Sequence, residues 1–338
     1  GADVAICIGD NTTLGGSPTG PTGATYQWDN TASLSSGTAA NPVATPSTTT
    51  TYTVTVTDGT TSCTSTDQVV VTVNPLPTAD AGSNQTICSG DDATLGGSPT
   101  GPTGASYQWD NVASLSSGTA ANPIASPTAT TTYSVTVTSG VNCTATDQVT
   151  ITVDPLPSAD AGADQTICDG DNATLGGSPT GPTGATYQWD NTASLSSGTA
   201  ANPTATPSTT TTYTVTVTDG TTSCTSTDQV IITVNPIPTA DAGADENICI
   251  GSSTTLGGSP TGPTGATYQW DNTASLSSGT AANPTATPSV TTTYSVTVTS
   301  AASCTSTDQV TITVDPLPSA DAGADQTICD GDNATLGG

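Results

Sequence analysis

The sequence predicts an all-β protein, a tandem array of two-sheet sandwiches of about 80 residues each. Three observations support this fold class. The segment of residues 14–30, LGGSPTGPTGATYQWDN, returns almost unchanged three more times. Tryptophan occurs once in each copy, at Trp28, Trp109, Trp189 and Trp270, so the period is 80 or 81 residues. Threonine and valine alternate in the second half of each copy, and that period of two is typical of β-strands.

The internal period sets the predicted domain boundaries. A length of 338 residues would suggest about two domains, but a fixed repeat overrides that estimate. We expect repeat 1 at residues 1–77, repeat 2 at 78–157, repeat 3 at 158–238, repeat 4 at 239–318 and the start of a fifth repeat at 319–338. The repeats are joined by segments such as Asn74-Pro75-Leu76-Pro77. Two prolines separated by one residue favour an extended chain, so these linkers should be short and semi-rigid.

Within repeat 1, strands are predicted from alternation and turns from composition. Residues 4–8 alternate as in a half-buried strand, a short strand follows near 12–14, and 15–23 form a Gly/Pro/Thr loop. The dipeptides Asn41-Pro42 and Thr45-Pro46 suit an edge strand. Proline has no backbone N–H to donate to the hydrogen-bond ladder of a central strand. Two strands around 52–57 and 68–73 end the repeat, with Asp58-Gly59 as the turn between them.

An aromatic pair separated by one residue marks a central strand of each repeat. In a strand both rings face the same way, and a repeat without phenylalanine or methionine needs them in its core. The alternative is an exposed aromatic platform that stacks on sugar rings. The predicted core residues are Tyr26, Trp28, Tyr107, Trp109, Tyr187, Trp189, Tyr268 and Trp270. Six or seven short strands and a central tryptophan are closest to an immunoglobulin-type sandwich.

The nine cysteines form two series, one member of each per repeat. The spacing of 55 or 56 residues within a repeat predicts one disulfide per repeat in an oxidising compartment. Small buried thiols, and bridges across each boundary such as Cys63 to Cys88, remain alternatives. The predicted disulfide residues are Cys7 and Cys63, Cys88 and Cys143, Cys168 and Cys224, and Cys249 and Cys304, with Cys329 left over in the fifth copy.

The charge balance excludes several functions. The chain has no Lys, Arg or His and a net charge of −28, so it cannot neutralise nucleic-acid phosphates, and an anionic membrane would repel it. No apolar run approaches the length of a membrane span, and we expect a portion of a longer secreted chain. Without His or Lys, and without an acid pair shared by all copies, we do not expect an enzyme.

Aspartates near the predicted junctions suggest calcium as the one plausible cofactor, because carboxylate oxygens suit this ion. One set lies in the linkers and the other before the last strand of each repeat. If neighbouring domains bring the two sets together, a bound ion would stiffen each joint. The alternative is that these side chains are solvated and cap turns, since no spacing matches a dedicated calcium loop. The candidate ligands are Asp67, Asp80, Asp147, Asp160, Asp228, Asp241, Asp308 and Asp321.

The Asn-Pro-Leu-Pro linker, the opening ADAGSNQTIC at residues 79–88 and the Tyr-x-Trp strand resemble PKD-like, immunoglobulin-like repeats of large secreted surface proteins of Bacteroidota. Many of those proteins are similar to gliding-motility adhesins and to cargo of type IX secretion. The chain departs from the PKD pattern at Asn30, where that family favours Phe after Trp-Asp, and in lacking basic residues. The resemblance implies an extracellular, cell-surface array that spaces or presents another part.

The expected function is therefore a structural repeat region, a stalk or filament, of an extracellular bacterial adhesin. Its partners would be the neighbouring repeats of the same chain, other copies of itself or surface glycans. The alternatives are a multivalent glycan- or ion-binding array and a self-assembling surface fibre subunit. The loop of residues 16–23 recurs unchanged in all four copies, which a pure spacer does not require. Recent duplication or a contact between this loop and a neighbour would explain it.

Overall fold

A computed structural model describes residues 1–17, 19–259 and 261–337. Pro18 and Pro260, which belong to the recurring loops of repeats 1 and 4, and Gly338 of the predicted fifth copy lie outside the described residues. The described part is all-β and contains no α-helix, which confirms the predicted fold class. The chain divides into two compact units, Gly1–Leu156 with Thr222–Cys224, and Pro157–Thr221 with Thr225–Gly338.

The first unit contains the strands of repeats 1 and 2. Repeat 1 has β1 (Val4–Cys7), β2 (Thr12–Thr13), β3 (Thr25–Trp28), β4 (Val43–Ala44), β5 (Thr50–Thr57) and β6 (Thr64–Asn74). Repeat 2 has β7 (Gln85–Cys88), β8 (Ala93–Thr94), β9 (Ser106–Trp109), β10 (Ile124–Ala125), β11 (Thr131–Thr138) and β12 (Thr144–Asp154).

The second unit contains the strands of repeats 3 and 4. Repeat 3 has β13 (Gln165–Cys168), β14 (Ala173–Thr174), β15 (Thr186–Trp189), β16 (Thr204–Ala205), β17 (Thr211–Thr218) and β18 (Thr225–Asn235). Repeat 4 has β19 (Glu246–Cys249), β20 (Thr254–Thr255), β21 (Thr267–Trp270), β22 (Thr285–Ala286), β23 (Thr292–Thr299) and β24 (Thr305–Asp315).

Every repeat is a small sandwich of two sheets with the same topology. In repeat 1 the larger sheet has the order β1-β6-β5-β3, in which β1 runs parallel to β6 and the other neighbours are antiparallel. The smaller sheet pairs β2 with β4, and a bridge between Leu34 and Ala44 extends it. The short β4 lies between Pro42 and Pro46, as expected of a strand at a sheet edge.

The core lies between the two sheets and is built around the single tryptophan. In repeat 2, Trp109 is 1% exposed and packs with Tyr133, Val135 and Ile151. The indole nitrogen of Trp109 donates to the carbonyl of Ala120 at 3.0 Å, so the buried ring keeps its hydrogen bond. Tyr107 packs against this core from its margin and is half-buried. The strand that carries the aromatic pair, β9, lies at the edge of its sheet, so its predicted central position is wrong. The corresponding residues of the other repeats take the same places.

The Trp-Asp-Asn motif has a structural role. Asn30 has a φ of 51°, a left-handed conformation that asparagine tolerates better than most residues. Its side-chain amide donates to the carbonyl of Thr51 at 2.8 Å, and the Asp29 carboxylate accepts from the backbone N–H of Thr53 at 2.6 Å. The motif therefore fastens the turn after β3 to β5, and its polar side chains bond to the backbone.

Candidate functional site at the linker joints

The recurring loop binds the linker that enters each repeat. In repeat 2 the backbone N–H of Asp80 donates to Thr100 at 3.0 Å, and the N–H of Gly97 donates back to Asp80 at 2.8 Å. A third bond runs from Gly96 N–H to the carbonyl of Ala81 at 2.8 Å. The same bonds recur in repeats 3 and 4, at Asp160, Thr180 and Gly177 and at Asp241, Thr261 and Gly258. Each linker is thus held to its loop by a short ladder of backbone hydrogen bonds.

Small residues make this close approach possible. Ala81 is 0% exposed and belongs to the core of repeat 2. A Cβ added at Gly97 would overlap the Asp80 carboxylate, and one at Gly101 would crowd Val137 and Tyr107. Glycine at both places lets the loop backbone lie against the linker and the core. The unchanged loop thus contacts the entering linker of its own repeat, and a contact of the loop with a neighbouring repeat or chain stays a prediction.

A buried threonine braces the same loop. Thr100 is 1% exposed, and its hydroxyl lies 2.9 Å from the Ala121 carbonyl and 3.3 Å from that of Gly97. Thr180 and Thr261 are 2% exposed in the equivalent places. A buried hydroxyl needs such acceptors, because an unpaired one costs about 1–3 kcal/mol.

The two sets of predicted calcium ligands meet, but within one repeat. The Asp147 carboxylate accepts the backbone N–H of Ala81 at 2.8 Å, and the Asp80 carboxylate accepts that of Gly82 at 2.9 Å. Both carboxylates thus belong to repeat 2, which corrects the expectation that neighbouring domains supply one set each. Asp160 with Asp228 and Asp241 with Asp308 repeat the arrangement. The Asp321 carboxylate likewise accepts the backbone N–H of Gly323 at 2.8 Å, and that of Asp67 accepts from the Gly1 ammonium at 3.2 Å.

These aspartates have backbone partners that account for their recurrence. Within residues 1–17, 19–259 and 261–337, no group of three or more His, Cys, Asp or Glu side chains is arranged to hold a metal ion. Calcium binding stays a prediction, and the observed contacts correspond to the alternative in which the carboxylates cap backbone N–H groups.

The disulfides join different repeats. Cys7 bonds to Cys143, Cys88 to Cys224 and Cys168 to Cys304, each across 136 residues. The Cα–Cα distances are 5.6, 5.6 and 5.7 Å, within the usual range for disulfides. The predicted pairing within each repeat is therefore wrong. The alternative of a bridge across each boundary is what the structure shows, although the pairing differs from the example of Cys63 to Cys88.

Strand order explains this error. Cys7 lies beside Asn74 at the end of β6, because β1 and β6 are parallel. Cys63 immediately precedes Thr64, where β6 begins. The two cysteines of repeat 1 are thus separated by the length of β6, about 35 Å at 3.3 Å per residue, and cannot bond. Cys143, just before β12, lies at the start of the corresponding strand of repeat 2.

The cysteines outside these bonds, Cys63, Cys249 and Cys329, are exposed. Cys63 and Cys249 had been predicted to be bonded, and the structure leaves them as thiols. The bonded counterparts of Cys63 are buried: Cys143 is 0% exposed and Cys224 is 1% exposed.

Two carboxyl groups of repeat 1 have shifted pKa values. The backbone N–H groups of Thr61 and Thr60 and the Thr61 hydroxyl lower the pKa of Asp58 in the turn between β5 and β6. The terminal ammonium of Gly1, 3.2 Å from the Asp67 carboxylate, lowers the pKa of Asp67, together with the Gln68 N–H. Hydrogen bonds that favour the ionised form cause both shifts.

The structure disfavours an aromatic sugar platform. The four tryptophans are only 1–2% exposed, so they cannot form half of a stacking surface. In the part of the chain that the structure describes, no helix is long and apolar enough to cross a membrane.

No protein-family model matches this sequence, and no curated relative matches it. Among solved structures, it is similar to an I-band fragment of titin, at 11% identity and a TM-score of 0.37, covering 71% of this chain and 98% of that one. It is also similar to immunoglobulin domains 1–4 of Sidekick-1, at 12% identity and a TM-score of 0.28, covering 93% and 97%. The insect immune protein hemolin aligns at 12% identity and a TM-score of 0.27, covering 93% and 97%. All three are tandem immunoglobulin proteins, and nothing about their functions transfers at these values.

Proposed function

We propose that this chain is a structural repeat region, a stalk or filament, of an extracellular surface protein. The observation that carries the proposal is the bonding of the first-series cysteines Cys7, Cys88 and Cys168 to the repeat that follows, as in Cys7–Cys143. Disulfides persist in oxidising compartments, which supports a location outside the cytoplasm. Together with the docked linkers, these bonds brace the joints, which is what a spacer needs.

The disulfide pattern limits how far the chain can be extended. A covalent path runs through residues 1–7, crosses to 143–168 and continues through 304–338 by way of Cys7–Cys143 and Cys168–Cys304. This path contains about a fifth of the residues. Even with every strand unfolded, it would extend to about 230 Å, compared with about 1,150 Å for the whole chain without disulfides, at about 3.4 Å per residue. A stalk under tension would thus resist lengthening even after domains unfold.

The resemblance of the linker and strand motifs extends the proposal to a cell-surface adhesin of the kind found in Bacteroidota, exported as type IX secretion cargo and related to gliding-motility adhesins. In such a protein these repeats would supply length and spacing, and recognition would belong to another part. A multivalent glycan array is the weaker candidate, since the tryptophans are buried.

Force spectroscopy tests the structural role. The oxidised chain, held at its termini, should reach a contour length about five times shorter than the same chain after full reduction. Equal contour lengths in the two states would refute the proposed covalent bracing. Immunogold labelling of intact cells of the source organism tests the location, since label found only after permeabilisation would contradict a surface stalk.

A further inference from the structure

The outer face of the larger sheet is a lattice of threonines. In repeat 3, Tyr213 and the valines of β17 are buried, so the alternate positions 212, 214, 216 and 218 point away from the core, and all of them are threonine. The outward positions of β18, from 225 to 233, are also threonine except for Gln229 and Ile231. The two outer strands of the sheet add Thr166, Thr186 and Gln188. We call these outward residues, and their equivalents in the other repeats, the threonine face.

The threonine face keeps its character in every repeat. The strand equivalent to β17 reads TTYTVTVT in β5 and TTYSVTVT in β11 and β23, so the one outward replacement is serine for threonine. The position of Ile231 is Val70 in repeat 1, and it is Thr150 and Thr311 in repeats 2 and 4. Where the repeats differ on this face, each of them has an uncharged residue.

The uncharged face contrasts with the chain as a whole, which has a net charge of −28 and no Lys, Arg or His. Carboxylates that bond to the backbone of this region lie beside the face and not on it. Asp228 lies on the core side of β18, where it accepts the N–H of Ala161. Asp164 and Asp190 lie just beyond the ends of β13 and β15 and accept backbone N–H groups there. Two copies of the chain can therefore meet through this face without placing carboxylates against one another.

The polar groups of the face already have partners within the sheet. The hydroxyls of Thr132 and Thr150 lie 2.9 Å apart across β11 and β12, and the Gln229 amide donates to the Thr214 hydroxyl at 3.3 Å. A polar group that keeps its hydrogen bond loses less on leaving water than one without a partner. Threonine is also stiff at χ1 and carries a methyl group, so burying it costs little side-chain entropy and removes apolar area from water.

The size of the face limits the partners that can use it. Four strands about 4.8 Å apart and eight residues at about 3.3 Å each give at most about 500 Å² per repeat. A stable interface buries about 800 Å² on each partner, so a partner must engage two or more repeats at once. A second copy of the chain meets this requirement, because its faces recur with the same period of 80 or 81 residues.

We propose that two copies of this chain associate laterally, with threonine faces of one copy packed on threonine faces of the other in two or more repeats. Sheets packed in this way lie about 10 Å apart with their strands about 30° from parallel. Ile231, which is 41% exposed, would be buried in the contact. The inference deepens the proposed structural role, on which it rests for the extracellular array, by giving the filament its lateral contact.

Sedimentation velocity of the oxidised full chain tests the association, with the exposed thiols alkylated so that no disulfide forms between copies. Repulsion between the acidic surfaces of two copies opposes the contact, so salt should strengthen it. The Debye length falls from about 30 Å at 0.01 M salt to about 8 Å at 0.15 M, and we expect the association constant to rise about tenfold or more. A chain that stays monomeric in both buffers, or whose association weakens with salt, would overturn the proposal.

Matched charge substitutions locate the contact. One variant carries a carboxylate on each threonine face, at exposed positions of the last strand of each repeat: Thr66→Asp, Thr146→Asp, Thr227→Asp and Thr307→Asp. The control has the same net charge, with the changes at exposed positions of the smaller sheet: Thr13→Asp, Thr94→Asp, Thr174→Asp and Thr255→Asp. Like charges brought together at an interface are costly, so the first variant should associate about tenfold more weakly than the control. Equal association constants would overturn the assigned face.

A third variant guards against misfolding of the first. Serine at the same four face positions keeps the hydroxyls and adds no charge, and tryptophan fluorescence reports whether each variant is folded. Loss of the methyl groups should weaken association about threefold or more. An unchanged association constant would contradict packing through this face.

A neutral polysaccharide is the other partner that suits an uncharged hydroxyl surface, and cosedimentation with insoluble cellulose provides that comparison. A chain that remains monomeric but binds cellulose, and loses this binding in the first variant and not in the control, would make the face a glycan site and refute the contact between copies. The contour length of one oxidised chain under force does not depend on a lateral partner, so the proposed function can survive failure of this inference.

Discussion

Repeat 1 and repeats 2 to 4 have almost the same sequence but different surroundings at one end. Val56 is half-buried and Val137 is fully buried, although both follow the same Thr-Val alternation. Thr19 is likewise half-buried where Thr100 is 1% exposed. In repeat 2 the linker residues Asp80 and Ala81 lie on this surface, and the described residues of repeat 1 include no equivalent of them. Ala81 of the linker is thus part of the core of repeat 2.

The aspartate before the last strand shows the same contrast. Asp147 accepts the backbone N–H of Ala81, and it is half-buried beneath the linker. Asp67 is exposed and pairs with the ammonium of Gly1 instead.

The largest expected effect concerns the braces that repeat 1 shares with repeat 2. Removing one disulfide with Cys7→Ser opens the covalent path at its first crossing, so that residues 8–88 extend under force before Cys88–Cys224 and Cys168–Cys304 carry the path. The contour length at full extension should rise by roughly 300 Å or more over the oxidised parent, at about 3.4 Å per residue. Cys329→Ser, which removes an unpaired thiol, is the control. An unchanged contour length for Cys7→Ser would mean that Cys7 carries no brace.

A second prediction compares the two valines. Val137→Ala leaves a cavity beneath a docked linker and should destabilise repeat 2 by about 2–3 kcal/mol, whereas Val56→Ala should cost repeat 1 about 1 kcal/mol or less. Hydrogen exchange of the amides in β11 and β5, followed against denaturant, measures the two effects separately. Equal losses would contradict the idea that the linker completes the core.

The third prediction concerns the buried hydroxyl. Thr100→Val keeps the shape of the side chain but removes a donor to the Ala121 carbonyl, and we expect a loss of about 1–2 kcal/mol in repeat 2. Thr19→Val, at the half-buried equivalent position, should change the stability of repeat 1 by less than about 0.5 kcal/mol. The same exchange measurement provides both values. A larger effect at Thr19 than at Thr100 would reverse the comparison.

The smallest expected effect depends on pH. Because the pKa of Asp58 is lowered in the folded chain, its contribution to stability is present above the unfolded value of 3.8 and disappears as pH falls through the folded pKa. Acidification below about pH 4 should therefore loosen the turn between β5 and β6. Amide exchange at Thr60 and Thr61 should accelerate after correction for intrinsic rates, and Asp58→Asn should abolish that acid dependence. The same dependence in Asp58→Asn would assign it to another group.

Much of the fold could be predicted because β-strands produce a local alternation of apolar and polar residues in the sequence. Alternation placed Trp28 and Tyr26 on one face, and the exact recurrence of tryptophan set the repeat length without any structure. The candidate site was less accessible. The unchanged loop and the aspartate sets were visible in the sequence, but which segment the loop binds depends on how the chain returns to it.

The period, the strand character and the buried tryptophan could therefore be read from the amino-acid sequence, since each depends on residues close together in the chain. The tertiary structure decided the cysteine pairing and the role of the linker. Cys7 and Cys63 are separated by about 56 residues, which suggests one closed loop. Only the parallel pairing of β1 with β6 shows that they lie at opposite ends of one sheet. A bond between residues distant in sequence is set by strand order, and strand order is a property of the folded sheet.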